Sequence, residues 1–107
     1  MKPLAWVGDA KREVLGFPDD ARSETGHQLW RVQKGRDPDD WKPMPSIGSG
    51  VREIRIREAS GAFRIVYIAT LPEAVYVLHA FQKKTQKTGK HDIDLAAVRL
   101  KAVLKER

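Results

Sequence analysis

The chain contains no cysteine, which excludes a disulfide scaffold, thiol catalysis and cysteine-ligated zinc. Long apolar runs are missing too. The longest uncharged, mostly apolar stretch is residues 65–72, far short of the ~20 residues a membrane-spanning helix needs. Charge enters early, at Lys2 and Asp9, so the N-terminus cannot form the apolar stretch of a signal peptide. None of the four serines sits in a nucleophile motif. Gly89-Lys90 is followed by His91 with no glycine-rich turn upstream, which is not a P-loop. His27, His79 and His91 lack metal-ligand spacing. Asp19-Asp20 and Asp39-Asp40 are adjacent pairs in cap or turn contexts, and adjacent carboxylates do not face one substrate. These absences predict a soluble cytoplasmic protein with no cofactor, no bound metal and no membrane partner.

What is present is positive charge, unevenly placed. Residues 1–50 carry 8 Lys/Arg against 8 Asp/Glu, whereas residues 51–107 carry 12 against 6, the whole of the net +6. A sequence pI near 9.8 fits nucleic acid, a membrane surface or an acidic protein. A membrane-surface protein would concentrate its cations on one long amphipathic helix. Here the arginines lie on alternating, strand-like segments, Val51-Arg-Glu-Ile-Arg-Ile-Arg57 and Phe63-Arg-Ile-Val-Tyr-Ile68.

With 107 residues, the chain is expected to form a single domain over 1–107. Residues 4–7 read as an edge strand. Asp9 would cap a short helix over 10–15, ended by Gly16. Pro18, Asp19 and Asp20 suit the start of a second helix, in which Ala21, Thr25, Leu29 and Val32 recur at helical spacing before Gly35 ends it. Gly26 inside that pattern predicts close packing against a neighbour. Residues 36–50, with Pro38, Pro43, Pro45, Gly48 and Gly50, read as a loop anchored by Trp41 and Met44. Three strands follow, over 51–57, 63–69 and 75–81, joined tightly enough to make an antiparallel meander. The middle one is apolar on both faces, so each face needs a cover. A basic loop leads to a last helix with Ile93, Ala97, Leu100 and Leu104 as its buried stripe.

Strand alternation places Ile54 and Ile56 on one face and Glu53, Arg55 and Arg57 on the other. Arg64, just after the hairpin, can approach them, and Lys83 and Lys84 emerge at the end of the third strand. Converging cations repel one another, so a shared patch implies an anion. The alternative is a solvated sheet face with Glu53 and Glu58 as ion-pair partners. Residues 82–90 carry four lysines, two threonines and no acid, a composition that suits phosphate oxygens. His91 is the histidine of this basic region and is placed to move a proton. His79 reads as a hydrogen-bonded core residue, His27 as surface and Tyr67 as core. Phe81 is either a stacking face for a base or a cap on the core.

The ordered set Gly50-Val-Arg-Glu-Ile-Arg-Ile-Arg57, Phe63-Arg-Ile-Val-Tyr67 and Leu78-His-Ala-Phe-Gln-Lys-Lys-Thr-Gln-Lys-Thr88 resembles the RelE/HigB superfamily of toxins from toxin–antitoxin pairs, in its phage-derived HigB-like branch. The likeness runs over nearly the whole chain and includes Lys42-Pro-Met-Pro. It implies an α+β fold, with N-terminal helices and a C-terminal helix on a twisted, mainly antiparallel sheet of about four strands. It implies a small basic endoribonuclease that cuts messenger RNA on the ribosome without a metal. A cognate antitoxin, HigA-like with a helix-turn-helix, would neutralise it. By motif position Arg55, Arg57, Arg64, Lys83 and Lys84 match the family's basic residues. Some relatives place a catalytic tyrosine or histidine near the C-terminus, and this chain has none beyond His91.

On that reading Arg64 stabilises the phosphorane, and Lys83, Lys84 or His91 moves the protons. Arg52, Arg55, Arg57, Phe81, Thr85 and Lys87 are the expected RNA contacts. The rival expectations are a non-catalytic nucleic-acid-binding module and a protein-interaction domain for an acidic partner.

Overall fold

The computed structural model describes residues 1–84 and 87–107. In chain order the elements are β1 (Leu4–Trp6), α1 (Ala10–Leu15), α2 (Asp19–Gln33), β2 (Trp41–Pro43), β3 (Val51–Glu58), β4 (Gly61–Ile68), β5 (Val75–Lys83) and α3 (Lys90–Glu106). The strands form one mixed sheet in the order β1-β5-β4-β3-β2. Pairing is antiparallel except between β1 and β5, which run parallel. The expected α+β architecture is present, with five strands in place of about four. The extra strand is β2, inside the stretch read as a loop. Its Trp-Lys-Pro sequence is too short to show alternation, and Pro43 is tolerated because β2 is an edge strand.

The two faces of the sheet are covered by different helices. α1 and α2 bury Ala10, Val14, Ala21, Leu29 and Val32 against Ile54, Ile56, Phe63, Ile65, Tyr67 and Val77. α3 buries Ala96, Leu100 and Val103 against Val51, Val66, Ile68 and Leu78, with Met44 and Ile47 closing the edge. Each large apolar side chain so buried contributes roughly 1.5–3 kcal/mol. β4 is thus apolar toward both layers, as its sequence requires. α2 ends where Gly35 takes φ +81°, a left-handed conformation that favours glycine.

Two expectations fail for stated reasons. Gly26 is exposed, and a Cβ added there would meet nothing within 4 Å, so the glycine makes no close packing. On α3 the buried stripe is Ala96, Leu100 and Val103, with Ile93 and Ala97 half-buried and Leu104 49% exposed. The helix is rolled because Asp92 and Arg99, on the side of Ala96 and Val103, make buried polar contacts. His79 is 4% exposed. Its Nδ1 lies 3.1 Å from Glu13 Oε1 and its Nε2 2.7 Å from Asp92 Oδ1. Arg99 donates to Glu13 Oε1 at 3.0 Å and to the Leu78 carbonyl at 2.9 Å. Burial pushes the Glu13 carboxyl up, but Arg99, the Ala80 amide and His79 together hold it below the ordinary value. Satisfying these groups fixes the roll of α3 more strictly than one apolar contact at Leu104 could.

Candidate functional site

Directly opposed residues of a ladder share a sheet face, as do residues two apart on a strand. The register therefore lays out rows on the face that α3 covers only in part. One row runs Lys42, Glu53, Val66, His79. The next runs Arg55, Arg64, Phe81, and the last Arg57, Ala62, Lys83. Of the sequence-predicted residues, Arg55, Arg57, Arg64, Phe81 and Lys83 are thus brought together. Ala62 matters by being small: it leaves room for the long side chains around it.

Arg64 is the centre of this face and is only 6% exposed. Its Nη1 donates to the Phe63 carbonyl at 3.0 Å, and its Nε lies 3.6 Å from Glu53 Oε1, an ion-pair distance too long for a hydrogen bond. The Nε atoms of Arg64 and Arg55 are both buried without a hydrogen-bond partner among the described residues. Glu53 is 1% exposed and accepts a hydrogen bond from the Thr88 hydroxyl at 2.7 Å, which ties the segment before α3 to the sheet.

Electrostatics follow from this crowding. Burial holds the Arg64 guanidinium below its ordinary proton affinity; Glu53 opposes that, and Arg55 deepens it. Lys83 is likewise held below the usual lysine value, by burial first and then by Arg64 and Arg55, with Lys42 adding and Glu53 opposing. Like charges directly opposed across a ladder destabilise a sheet. Arg55 against Arg64, with Lys83 in the next row, concentrates positive charge on one face, and Glu53 is its buried counter-charge. Chemically, the face can hold a phosphodiester on forked donors and present an amine biased toward its neutral form.

The other expected residues lie elsewhere. Arg52 points to the opposite face, across from Tyr67, where its Nη1 binds Asp37 at 2.9 Å and its guanidinium lies 3.8 Å from the Trp41 ring centroid. It is not part of the cationic rows. Lys84 follows β5 and is exposed, and Lys87 is exposed before α3. His91 is exposed on the first turn of α3, whereas its neighbour Asp92 turns inward to His79. Thr85 lies outside the described residues. Phe81 is half-buried, packed on the α3 cluster with its ring stacked on His79 at 5.1 Å. Tyr67 is 1% exposed, and burial pushes its phenol up, against the pull of Arg52, which suits a core residue.

Sequence reasoning missed Lys42 as a member of the face and Glu53 as its buried anchor. The signal for Lys42 was a strand of three residues hidden between prolines. Among the described residues, no group of three or more His, Cys, Asp or Glu side chains is placed to hold a metal ion, and no helix is long and apolar enough to cross a membrane. A concavity of about 660 Å³ lies against Lys2, Arg36, Arg52 and Tyr67, and none of Arg55, Arg57, Arg64 or Lys83 lines it.

A family model described as phage derived protein Gp49-like (DUF891) matches residues 12–101. That span runs from α1 into α3 and contains every residue of the cationic rows. No curated protein matches the chain.

Proposed function

The chain belongs to the phage-derived Gp49-like family, a family of RelE/HigB-type toxins of toxin–antitoxin systems, and from that premise we propose that it is an endoribonuclease that cuts messenger RNA on the ribosome. One observation carries this reading. Arg55 and Arg64 oppose each other on a single face with buried Nε donors that have no hydrogen-bond partner among the described residues, beside a lysine whose proton affinity is lowered. That combination supplies forked donors for a phosphate and an amine able to take a proton.

In the proposed reaction, neutral Lys83 takes the proton from a ribose 2′-hydroxyl as its oxygen attacks the adjacent phosphorus. Negative charge accumulates on the non-bridging oxygens, where Arg64 and Arg55 donate and Arg57 adds charge. The bond to the 5′-oxygen breaks, and that oxygen takes a proton from Lys84 or His91, leaving a 2′,3′-cyclic phosphate and a 5′-hydroxyl. The reading is of metal-independent cleavage, with Lys84 and His91, both exposed outside the cationic rows, as the candidate acids. Phe81, half-buried beside Arg64, offers an edge for a base, and Lys87 extends the phosphate track.

Membership of a toxin–antitoxin family implies an antitoxin partner; we assign it a helix-turn-helix, HigA-like character and a gene adjacent to this one. The test is induced expression of the wild type, Arg64→Ala and Lys83→Ala, with growth and cleavage of cellular messages mapped by primer extension. Wild type is expected to arrest growth and cut messages, and both variants to lose both effects. Equal cleavage by all three would overturn the assignment of the site. RNA binding with no cleavage by the wild type would favour a non-catalytic nucleic-acid-binding module.

A further inference from the structure

Glu53 is the only carboxylate in the fully buried class among the described residues. It sits on β3 in the first of the cationic rows, with Val66 opposite it on β4 and Lys42 opposite it on β2. Its neighbours Val51 and Val66 belong to the apolar cluster under α3, so the same position could have held a valine and extended that cluster. Burying a carboxylate there is costly unless the charge and both oxygens are used. Both are used. Oε1 lies 3.6 Å from Arg64 Nε, and Oε2 accepts from Thr88 at 2.7 Å. Thr88 immediately precedes Gly89, the residue that opens α3.

We propose that Glu53 is a positioning residue of this site: one oxygen holds the Arg64 guanidinium in the cationic rows, and the other holds Thr88, just before α3, to the same face. Its catalytic consequence rests on the endoribonuclease reading, but its structural content does not. Glu53 is also the counter-charge that opposes the effect of Arg64, Arg55 and Lys42 on Lys83. It thereby keeps four cations on neighbouring strands compatible with a folded sheet. Glu53 has no proton to move in this role.

Two measurements on the RNA-free protein test the proposal. Lys83 is titrated by NMR at its side-chain carbons, and hydrogen exchange is followed at the Ile93 amide, which donates to the Gly89 carbonyl at 3.1 Å. Glu53→Gln keeps size and an acceptor for Thr88 but removes the charge, so the Lys83 midpoint moves to lower pH. Thr88→Val keeps shape and charge but removes the donor. The Ile93 amide then exchanges on the order of tenfold faster, the size of one hydrogen bond to a charged group, while the Lys83 midpoint stays. A fold intact by circular dichroism with either shift absent overturns the proposal. If Glu53→Gln does not fold, Glu53→Asp, which draws the charge back from Arg64, gives the smaller shift in the same direction. RNA cleavage by the same proteins separates the two readings. Both shifts present in a wild type that does not cut RNA removes the nuclease and leaves Glu53 as the organiser of an RNA-binding face.

Discussion

Arg55 and Arg64 stand directly opposite each other in the β3–β4 ladder, each with a buried Nε that no acceptor meets among the described residues. Such a pair is unfavourable for the sheet on its own, and a bound phosphate would reverse the sign of the interaction. Its expected signature is an Arg55→Ala variant that folds better and acts worse than the wild type, whereas removing Arg64 would leave the buried Glu53 charge without its counter-charge.

Arg64→Ala is expected to lower RNA cleavage by about 10²–10³-fold, the range for loss of one donor to a developing oxyanion. Arg64→Lys should recover only part of this, because an ammonium cannot reproduce the fork. Single-turnover cleavage of a defined RNA, with thermal melting alongside, checks both statements. A variant as active as wild type would remove Arg64 from the mechanism.

Lys83 sets the expected pH dependence. Its proton affinity lies below the ordinary lysine value of 10.5, so the neutral amine becomes populated at lower pH than for a free lysine. The limb of the cleavage profile that rises with pH should therefore have its midpoint below that value. Lys83→Arg, which stays charged, should lower the rate by about 10²–10⁴-fold while retaining RNA binding. A profile that is flat in the wild type would argue against the lysine base.

Two glycines should respond in opposite directions. Gly26→Ala on exposed α2 is expected to stabilise by about 1 kcal/mol, from helix propensity alone. At Gly48 an added Cβ would come within 2.4 Å of Leu100 Cδ2, so Gly48→Ala should destabilise by about 1–3 kcal/mol through overpacking under α3. Urea unfolding of the two variants measures the contrast.

Glu73 makes part of the stability acid-labile. The Arg107 guanidinium, bonded at 2.6 and 3.1 Å, with the Tyr76 hydroxyl assisting, lowers its carboxyl from 4.5 to about 2. A depressed carboxyl contributes stability fully above its unfolded value of 4.5 and loses it as pH falls through about 2. The stability gap between wild type and Glu73→Gln should accordingly close as the pH is lowered across that window. Both side chains are exposed enough for salt to weaken the effect.

Much of this was legible because strand alternation is a rigid rule. It put Arg55 and Arg57 opposite Ile54 and Ile56, and the apolar-both-sides pattern of residues 63–68 placed β4 at the centre with a cover on each face. Helix phase was less legible. Residues 93, 97, 100 and 104 fit a stripe as well as 96, 100 and 103, and the choice was made by Asp92 and Arg99 reaching partners on α1 and β5. Asp92 lies 13 residues from His79, and Arg99 21 from Leu78 and 86 from Glu13, beyond any helical pattern. Arg52 shows the same limit within a strand: alternation turns it to the opposite face, yet composition counts it with its neighbours. Glu53 read as an ordinary ion-pair partner because its second partner, Thr88, lies 35 residues along the chain.

The parallel union of β1 with β5 has a consequence for synthesis. Leu4 meets Val75 and Trp6 meets Val77, so the first of the five strands waits for the fifth before it has a strand partner. Closing so distant a contact is slow and entropically late, and a nascent chain grows from its N-terminus. Lys83 and Thr88 also come late, so a chain cut short before them carries no complete set of cationic rows.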